Sequence, residues 1–168
     1  MTKVLWHITM SLDGFIGTSG NDMAWMQDYV GPNEAVDEVV PRIGAVLLGN
    51  RTFAGGTGEG KPYGSLWNGP MFVLTHRPPD APVKDYAFVT SLAEGLATAK
   101  AAAGDKYVAI LGADVAKQCI AAGELDEILV HQVPVLLGDG VRMFQYPGGT
   151  NVRLEPPLVT NRWFQVAR

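Results

Sequence analysis

The sequence predicts an α/β protein built on a largely parallel, twisted sheet, and three observations lead there. Continuous apolar runs recur at residues 4–10, 45–48, 71–74 and 107–111, as expected of strands buried on both faces. Helix-forming stretches with their own start and stop signals alternate with the later runs. The connections are short, and parallel neighbours need a crossover that packs on the sheet.

Taken in order, the first strand carries Trp6 and Ile8, is interrupted by Ser11-Leu12-Asp13-Gly14, and resumes at Phe15-Ile16-Gly17. A turn-rich loop then leads to the apolar Met23-Ala24-Trp25-Met26. Gly31-Pro32-Asn33 opens a short helix whose Ala35, Val36, Val39 and Val40 share a face, bounded by Pro41. The strand at 45–48 ends at Gly49. The Gly/Pro-rich stretch 55–70 contains Tyr63, Leu66 and Trp67 as anchors, which reads as an ordered loop over a cleft.

Thr75-His76-Arg77-Pro78-Pro79 ends the strand at 71–74. Ser91 followed three residues later by Glu94 is a capping box ahead of an alanine-rich helix that stops at Gly104. After the strand at 107–111, Gly112-Ala113 turns into a helix closed by Gly123. The β-rich run 128–137 carries Pro134, so it bends or lies at an edge. Gly138-Asp139-Gly140 turns the chain, and segments 152–159 and 163–167 form a closing antiparallel hairpin around Thr160-Asn161-Arg162. With no internal repeat or linker, residues 1–168 form one domain.

The totals bound the function. At 168 residues the chain can bury roughly 70% of its unfolded surface, enough to line a cofactor-sized cleft. Charged residues are 18% and hydrophobic residues 47%, and no apolar run reaches the ~18 residues of a membrane span. The N-terminus has no long apolar segment or cleavage site, so a cytoplasmic protein is expected. A net charge of −4 and dispersed basic residues exclude the electrostatic footprint of nucleic-acid binding. One cysteine, Cys119, and three scattered histidines give neither a disulfide framework nor a metal-ligand spacing. Cys119 reads as a small apolar filler on a helix.

In open α/β sheets ligands bind beyond the carboxyl ends of the strands, and three segments fall there. After the strand at 45–48, Gly49-Asn50-Arg51-Thr52-Phe53 combines helix N–H groups, a hydroxyl and a guanidinium suited to phosphate. Thr75-His76-Arg77 adds a hydroxyl and two possible cations. Gly112-Ala113-Asp114-Val115-Ala116 is a small-residue strand-to-helix turn suited to pyrophosphate. Together they point to a dinucleotide, and the basic pair Arg51 and Arg77 to the 2′-phosphate of NADP. Singly, each glycine reads as a plain turn and each arginine as surface charge, and Asp114 reads as an N-cap that competes with an anion. Trp25 and Trp67 also read as core or lid residues, and His131 as a hydrogen-bonded core or interface histidine.

Met10-Ser11-Leu12-Asp13-Gly14-Phe15-Ile16-Gly17, Leu48-Gly49-Asn50-Arg51-Thr52-Phe53, Val73-Leu74-Thr75-His76-Arg77 and Gly112-Ala113-Asp114 together resemble dihydrofolate reductase-like proteins. Residues 122–140 and Met143-Phe144 are similar to the branch containing the reductase domain of the riboflavin-biosynthesis deaminase/reductase. The resemblance covers about residues 3–167. It implies the three-layer dihydrofolate reductase-like fold, NADPH, and hydride transfer to a C=N or C=O bond of a small heterocyclic or ribosyl substrate. Carried over, Thr9 and Ile16 line the nicotinamide with Leu111 opposite, and Gly49, Asn50, Arg51 and Thr52 face the phosphates and ribose. Thr75, His76 and Arg77 surround the 2′-phosphate, and Gly112, Ala113, Asp114, Val115 and Ala116 cradle the pyrophosphate. A homodimer through C-terminal strands is implied as well.

Asp13, Trp25 and Asp28 are the candidates for substrate chemistry; Asp13 reads chiefly as a turn fastener, and protonation comes from water or Asp28. Val30 stands where the family's pterin-gripping acid is expected, with Asp28 nearby, which counts against folate as substrate. Asn50 replaces an arginine often found there, and only Arg42 and Lys61 offer themselves to a substrate phosphate. The expectation is an NADPH-dependent reductase; the alternative is a non-catalytic, nucleotide-binding homodimeric relative.

Overall fold

Apolar strands that cannot face water on either side must sit between layers, and the computed structural model, which describes residues 1–20, 22–29, 31–56, 61–155 and 163–166, shows that arrangement. In chain order the strands are β1 (Val4–Ser11), β2 (Phe15–Gly17), β3 (Ile43–Gly49), β4 (Met71–Leu74), β5 (Tyr86–Val89), β6 (Tyr107–Leu111), β7 (Glu127–Val133), β8 (Val141–Arg142) and β9 (Trp163–Gln165). The α-helices are α1 (Glu34–Val39), α2 (Asn50–Gly56), α3 (Leu92–Ala103) and α4 (Ala113–Ala121). Tight 3-10 turns occupy Ala24–Tyr29, Val40–Arg42 and Gly64–Leu66. The main sheet runs β5-β4-β3-β6-β1-β7-β9, with β9 alone antiparallel.

Alternation along the strands divides the core. Val4 and Trp6 of β1, Ala45 and Leu47 of β3, and Val108 and Ile110 of β6 pack on one face with Leu96, Ala99 and Ala103 of α3 and Val115, Ala116 and Cys119 of α4. On the other face, Leu5, Val46, Leu48 and Leu129 meet Val39 of α1, Phe53 of α2, and Tyr63 and Trp67 of the loop that follows. The result is three layers. Cys119 is fully buried, and burial pushes its thiol up to about 12, as befits an inert filler.

Caps set the helix starts. Asn33 Oδ1 accepts from the N–H groups of Ala35 (3.0 Å) and Val36 (3.4 Å) and begins α1. Ser91 Oγ accepts from Glu94 N–H (3.3 Å) at α3, while the Glu94 carboxylate reaches one residue further back, to Thr90 N–H (3.1 Å). At α4 the cap is Gly112 rather than Asp114, which lies within the first turn.

The interruption at Ser11-Leu12-Asp13-Gly14 transfers the chain between sheets, because β2 pairs antiparallel with β8 in a separate two-stranded sheet. Gly14 takes φ 89°, a left-handed geometry that a side chain would strain. Asp13 fastens the corner by accepting from Leu137 N–H (3.1 Å), Gly138 N–H (2.7 Å) and the Ser11 hydroxyl (2.6 Å). Pro134 lacks an N–H, and β7 stops at Val133. The short strand β5, between the prolines after β4 and the Ser91 cap, has no counterpart in the apolar-run reading. At the C-terminal end, β9 pairs with β7, and Leu154 bridges Val166 antiparallel; Thr160, Asn161 and Arg162 lie outside the described residues. No helix among the described residues is long and apolar enough to cross a membrane.

Candidate active site

The carboxyl ends of β1, β3, β6 and β7 open into a cleft of about 920 Å³. It is lined by Thr9, Ile16, Leu48, Thr52, Leu111 and Gly112 of the strand ends and the turns and helix start that follow them, together with the mostly apolar Met23, Met26, Tyr29, Val36, Pro62 and Leu66. Five residues carried over to the cofactor, Thr9, Ile16, Thr52, Leu111 and Gly112, are thus brought together. Tertiary pairing does this, since β6 lies between β3 and β1.

The remaining candidates lie around these residues. α2 starts directly after Gly49, so Asn50 and Arg51 form its first turn. The Arg51 guanidinium is exposed and stands 3.8 Å from the Asp114 carboxylate, which also meets Lys117 at 3.6 Å. This partly offsets the negative charge at the start of α4. Thr75 is buried, and its hydroxyl accepts from Arg77 N–H at 3.2 Å to hold the turn that exposes His76 and Arg77. Val115 and Ala116 direct their side chains into the core, and Ala116 N–H already donates to Gly112 O at 3.5 Å. That leaves the N–H groups of Ala113, Asp114 and Val115 as the orphan donors of the helix start, with no side-chain cap over them.

These features fit a dinucleotide. Gly112 has φ 98° and ψ 153°, and a Cβ there would stand 2.5 Å from Thr52 Oγ1. The glycine keeps backbone accessible between two helix starts, which is the cradle a pyrophosphate requires.

Asp13, Trp25 and Asp28 do not line the cleft. Asp13 serves the corner described above, and its carboxyl is drawn down to about 2 chiefly by the Ser11 hydroxyl, with the Gly138 and Leu137 amides assisting. Asp28 is exposed. Trp25 sits in the Ala24–Tyr29 turn with its indole N–H buried and without a hydrogen-bond partner among the described residues. Among the described residues no aspartate or glutamate lines the cleft; Val30 lies outside the described residues.

The polar floor of the cleft is instead a chain of four side chains. The Tyr63 hydroxyl lies 2.8 Å from His7 Nδ1, His7 Nε2 lies 2.7 Å from His131 Nε2, and His131 Nδ1 lies 3.4 Å from Asn33 Nδ2. His7 and His131 meet because Thr9 pairs with His131 and His7 with Leu129 across β1 and β7, which puts both rings on one face. Tyr63 stacks on His7 at 5.4 Å and holds φ 64°, a conformation unfavourable by about 1 kcal/mol for a non-glycine residue. Trp67 anchors the same loop through its indole N–H to Ile43 O at 3.0 Å. Burial, followed by the neighbouring His131, lowers His7 to about 3. Burial also lowers His131 and raises the Tyr63 phenol, so all three groups are neutral near pH 7.

Sequence reasoning named Tyr63 only as an anchor, His131 as a hydrogen-bonded histidine and Asn33 as part of the helix start, and gave His7 no role. The available signal was the alternation Leu5, His7, Thr9, which places two polar side chains on a core-facing register of an otherwise apolar strand.

The RibD C-terminal domain family matches residues 2–162. Comparison with curated proteins gives no match. Among solved structures, a putative riboflavin biosynthesis protein from Shewanella sp. PV-4 superposes with a TM-score of 0.75 at 20% identity over 100% of both chains. Dihydrofolate reductase from Enterococcus faecalis, complexed with NADP(H) and RAB-propyl, gives a TM-score of 0.58 at 18% identity, covering 98% of this chain and 92% of that one. The Thermotoga maritima diaminohydroxyphosphoribosylaminopyrimidine deaminase/5-amino-6-(5-phosphoribosylamino)uracil reductase gives 0.61 at 14% identity over 98% of this chain. This chain spans 55% of that bifunctional protein. With the family match over residues 2–162 and these superpositions, the chain belongs to the RibD C-terminal domain family and has the dihydrofolate reductase-like fold.

Proposed function

We propose that the protein is an NADPH-dependent reductase that directs hydride to a C=N or C=O bond of a small heterocyclic, ribosyl or carbonyl substrate, acting in the cytoplasm. The observation that carries this reading is the shared cleft. Thr9, Ile16, Leu111 and Gly112 form a wall at the strand ends, continuous with an apolar chamber under Met23, Met26 and Tyr29. Thr52 and the first amides of α4 would hold the phosphates, and Arg51, Thr75, His76 and Arg77 would approach the 2′-phosphate. The bound cofactor supplies the hydride; the protein supplies orientation and a dry pocket. Family membership and the NADP(H) complex of the Enterococcus reductase support this assignment.

Val30, standing in the sequence where the resemblance to dihydrofolate reductases leads one to expect an acid, argues against a pterin, whose ring N–H groups would lose a charged partner worth several kcal/mol. Exposed Phe144, Tyr146 and Leu154, close in sequence to the C-terminal strands, support a homodimer through that region; a monomer mass in light scattering would remove that part of the reading.

Titration with NADPH and NADH, followed by tryptophan fluorescence and thermal stabilisation, tests the cofactor. Saturable binding of NADPH is expected, and no response to either nucleotide at millimolar concentration would overturn the reading. NADPH consumption is then measured with dihydrofolate, a phosphoribosylaminopyrimidine and cyclohexanone. Binding without turnover of any such acceptor would instead favour the non-catalytic relative.

A further inference from the structure

The hydrogen-bond chain on the cleft floor has a direction, and one residue sets it. Asn33 Oδ1 is committed to the amides of Ala35 and Val36, so the group that faces His131 is its NH₂. An NH₂ can only donate, which makes His131 Nδ1 an acceptor. A neutral imidazole accepting at Nδ1 carries its hydrogen at Nε2, so His131 donates to His7 Nε2. His7 then carries its hydrogen at Nδ1 and donates to the Tyr63 oxygen. Among the described residues the Tyr63 hydroxyl has no other hydrogen-bond partner, and the residue lines the cleft. Its own hydrogen is therefore left for whatever occupies the cleft.

We infer that Tyr63 is the proton donor of the site, held in that role by the sequence of donors Asn33, His131 and His7. The inference rests on the reductase reading for the hydride and adds the other half of the reaction. Reduction of a C=N or C=O bond places hydride on carbon and a proton on the heteroatom. The Tyr63 O–H bond breaks as the new N–H or O–H bond forms, the phenolate oxygen keeps accepting from His7 Nδ1–H, and a proton from solvent entering the cleft restores the phenol. His7 and His131 keep their hydrogens throughout, so the donor order is the same before and after turnover. One solvent proton is consumed per hydride, and no charge remains on the chain. The same wiring selects the substrate, which must offer a lone pair to the phenol at the reducible bond: a carbonyl or an imine nitrogen. Tyr63 is the catalytic residue here, and the other three are positioning residues.

The arrangement is testable without a substrate. Long-range proton–nitrogen NMR of the ¹⁵N-labelled protein at pH 7, with His76→Gln used to assign the third histidine, should show His131 protonated at Nε2 and His7 at Nδ1. His7 protonated at Nε2 would overturn the proposal. Asn33→Asp keeps a good N-cap but presents an acceptor, so His131 Nδ1 should become protonated; an unchanged His131 would also overturn it. Tyr63→Phe should bind NADPH within about twofold of the parent and lose ~100-fold or more in kcat toward any acceptor the parent reduces. Retention of parental kcat would defeat Tyr63 as donor while leaving the reductase reading intact. Failure of the parent to bind NADPH would defeat that reading, and the nitrogen shifts alone would then decide the wiring.

Discussion

The Nε2 atoms of His7 and His131 lie 2.7 Å apart, so at neutral pH one ring is protonated at that position and the other is not. His7 is 93% shielded from solvent, with 7% relative exposure, and is faced by His131 and the Tyr63 hydroxyl. Its folded-state value near 3 lies below the ~6.5 of an unfolded histidine. Between those values the unfolded chain binds more protons, so this group's contribution to stability is complete above about pH 6.5 and declines as pH falls toward 3. The slope approaches about 1.4 kcal/mol per pH unit. Denaturant melts from pH 7 to 4 should show it, and His7→Gln should remove that share of the acid sensitivity.

A second acid response belongs to the corner of β1 and β2. The Asp13 carboxyl titrates near 2 in the folded chain, below its unfolded value of ~3.9. Its stabilising effect is present above pH 4 and is lost as pH falls through 2. Asp13→Asn removes one of the two accepting oxygens that hold Leu137 and Gly138. Hydrogen exchange at those two amides should accelerate at pH 7 while the amides of β3 stay protected. Unchanged exchange would show that the corner is held by its backbone pairing alone.

Gly112→Ala should lower stability by about 1–3 kcal/mol, because φ 98°, ψ 153° belongs to a region almost confined to glycine. The new methyl group also meets Thr52 Oγ1. NADPH affinity should fall with it, as the space between Gly112 and Thr52 at the starts of α4 and α2 closes. Chemical denaturation and nucleotide titration on the same variant separate the two effects.

Arg51→Ala combined with Arg77→Ala should weaken NADPH much more than NADH, by about tenfold or more, since each charge-assisted contact to a 2′-phosphate is worth roughly 1.5–3 kcal/mol. Equal losses for the two nucleotides would place the phosphate elsewhere. Thermal shift against both nucleotides reads the difference directly.

The strand framework was legible in the sequence because β3, β4 and β6 are continuous apolar runs, and the break at Asp13-Gly14 announced a change of sheet. β5 was not legible: Tyr86–Val89 alternates at an edge and becomes a strand by pairing with β4. Glycine turns at strand ends pointed to Thr52 and Gly112, and both line the cleft. The cleft floor was hidden for a different reason. His7 is 56 residues from Tyr63 and 124 from His131, and periodicity tells which face a residue occupies but never which strand lies beside it. The β1–β7 register makes the two histidines neighbours, and the cap of α1 and the turn before Gly64 bring Asn33 and Tyr63 to them.

That register also bears on how the chain reaches its fold. β1, the strand that carries His7 and Thr9, lies between β6 and β7, both of which follow it by roughly a hundred residues. A nascent chain therefore exposes Val4, Leu5 and Trp6 until most of the polypeptide has emerged, and closing so long a loop is slow. This interior strand is made before both of its neighbours and is among the last satisfied, so refolding should be limited by β1 docking, and aggregation should compete with it at that step.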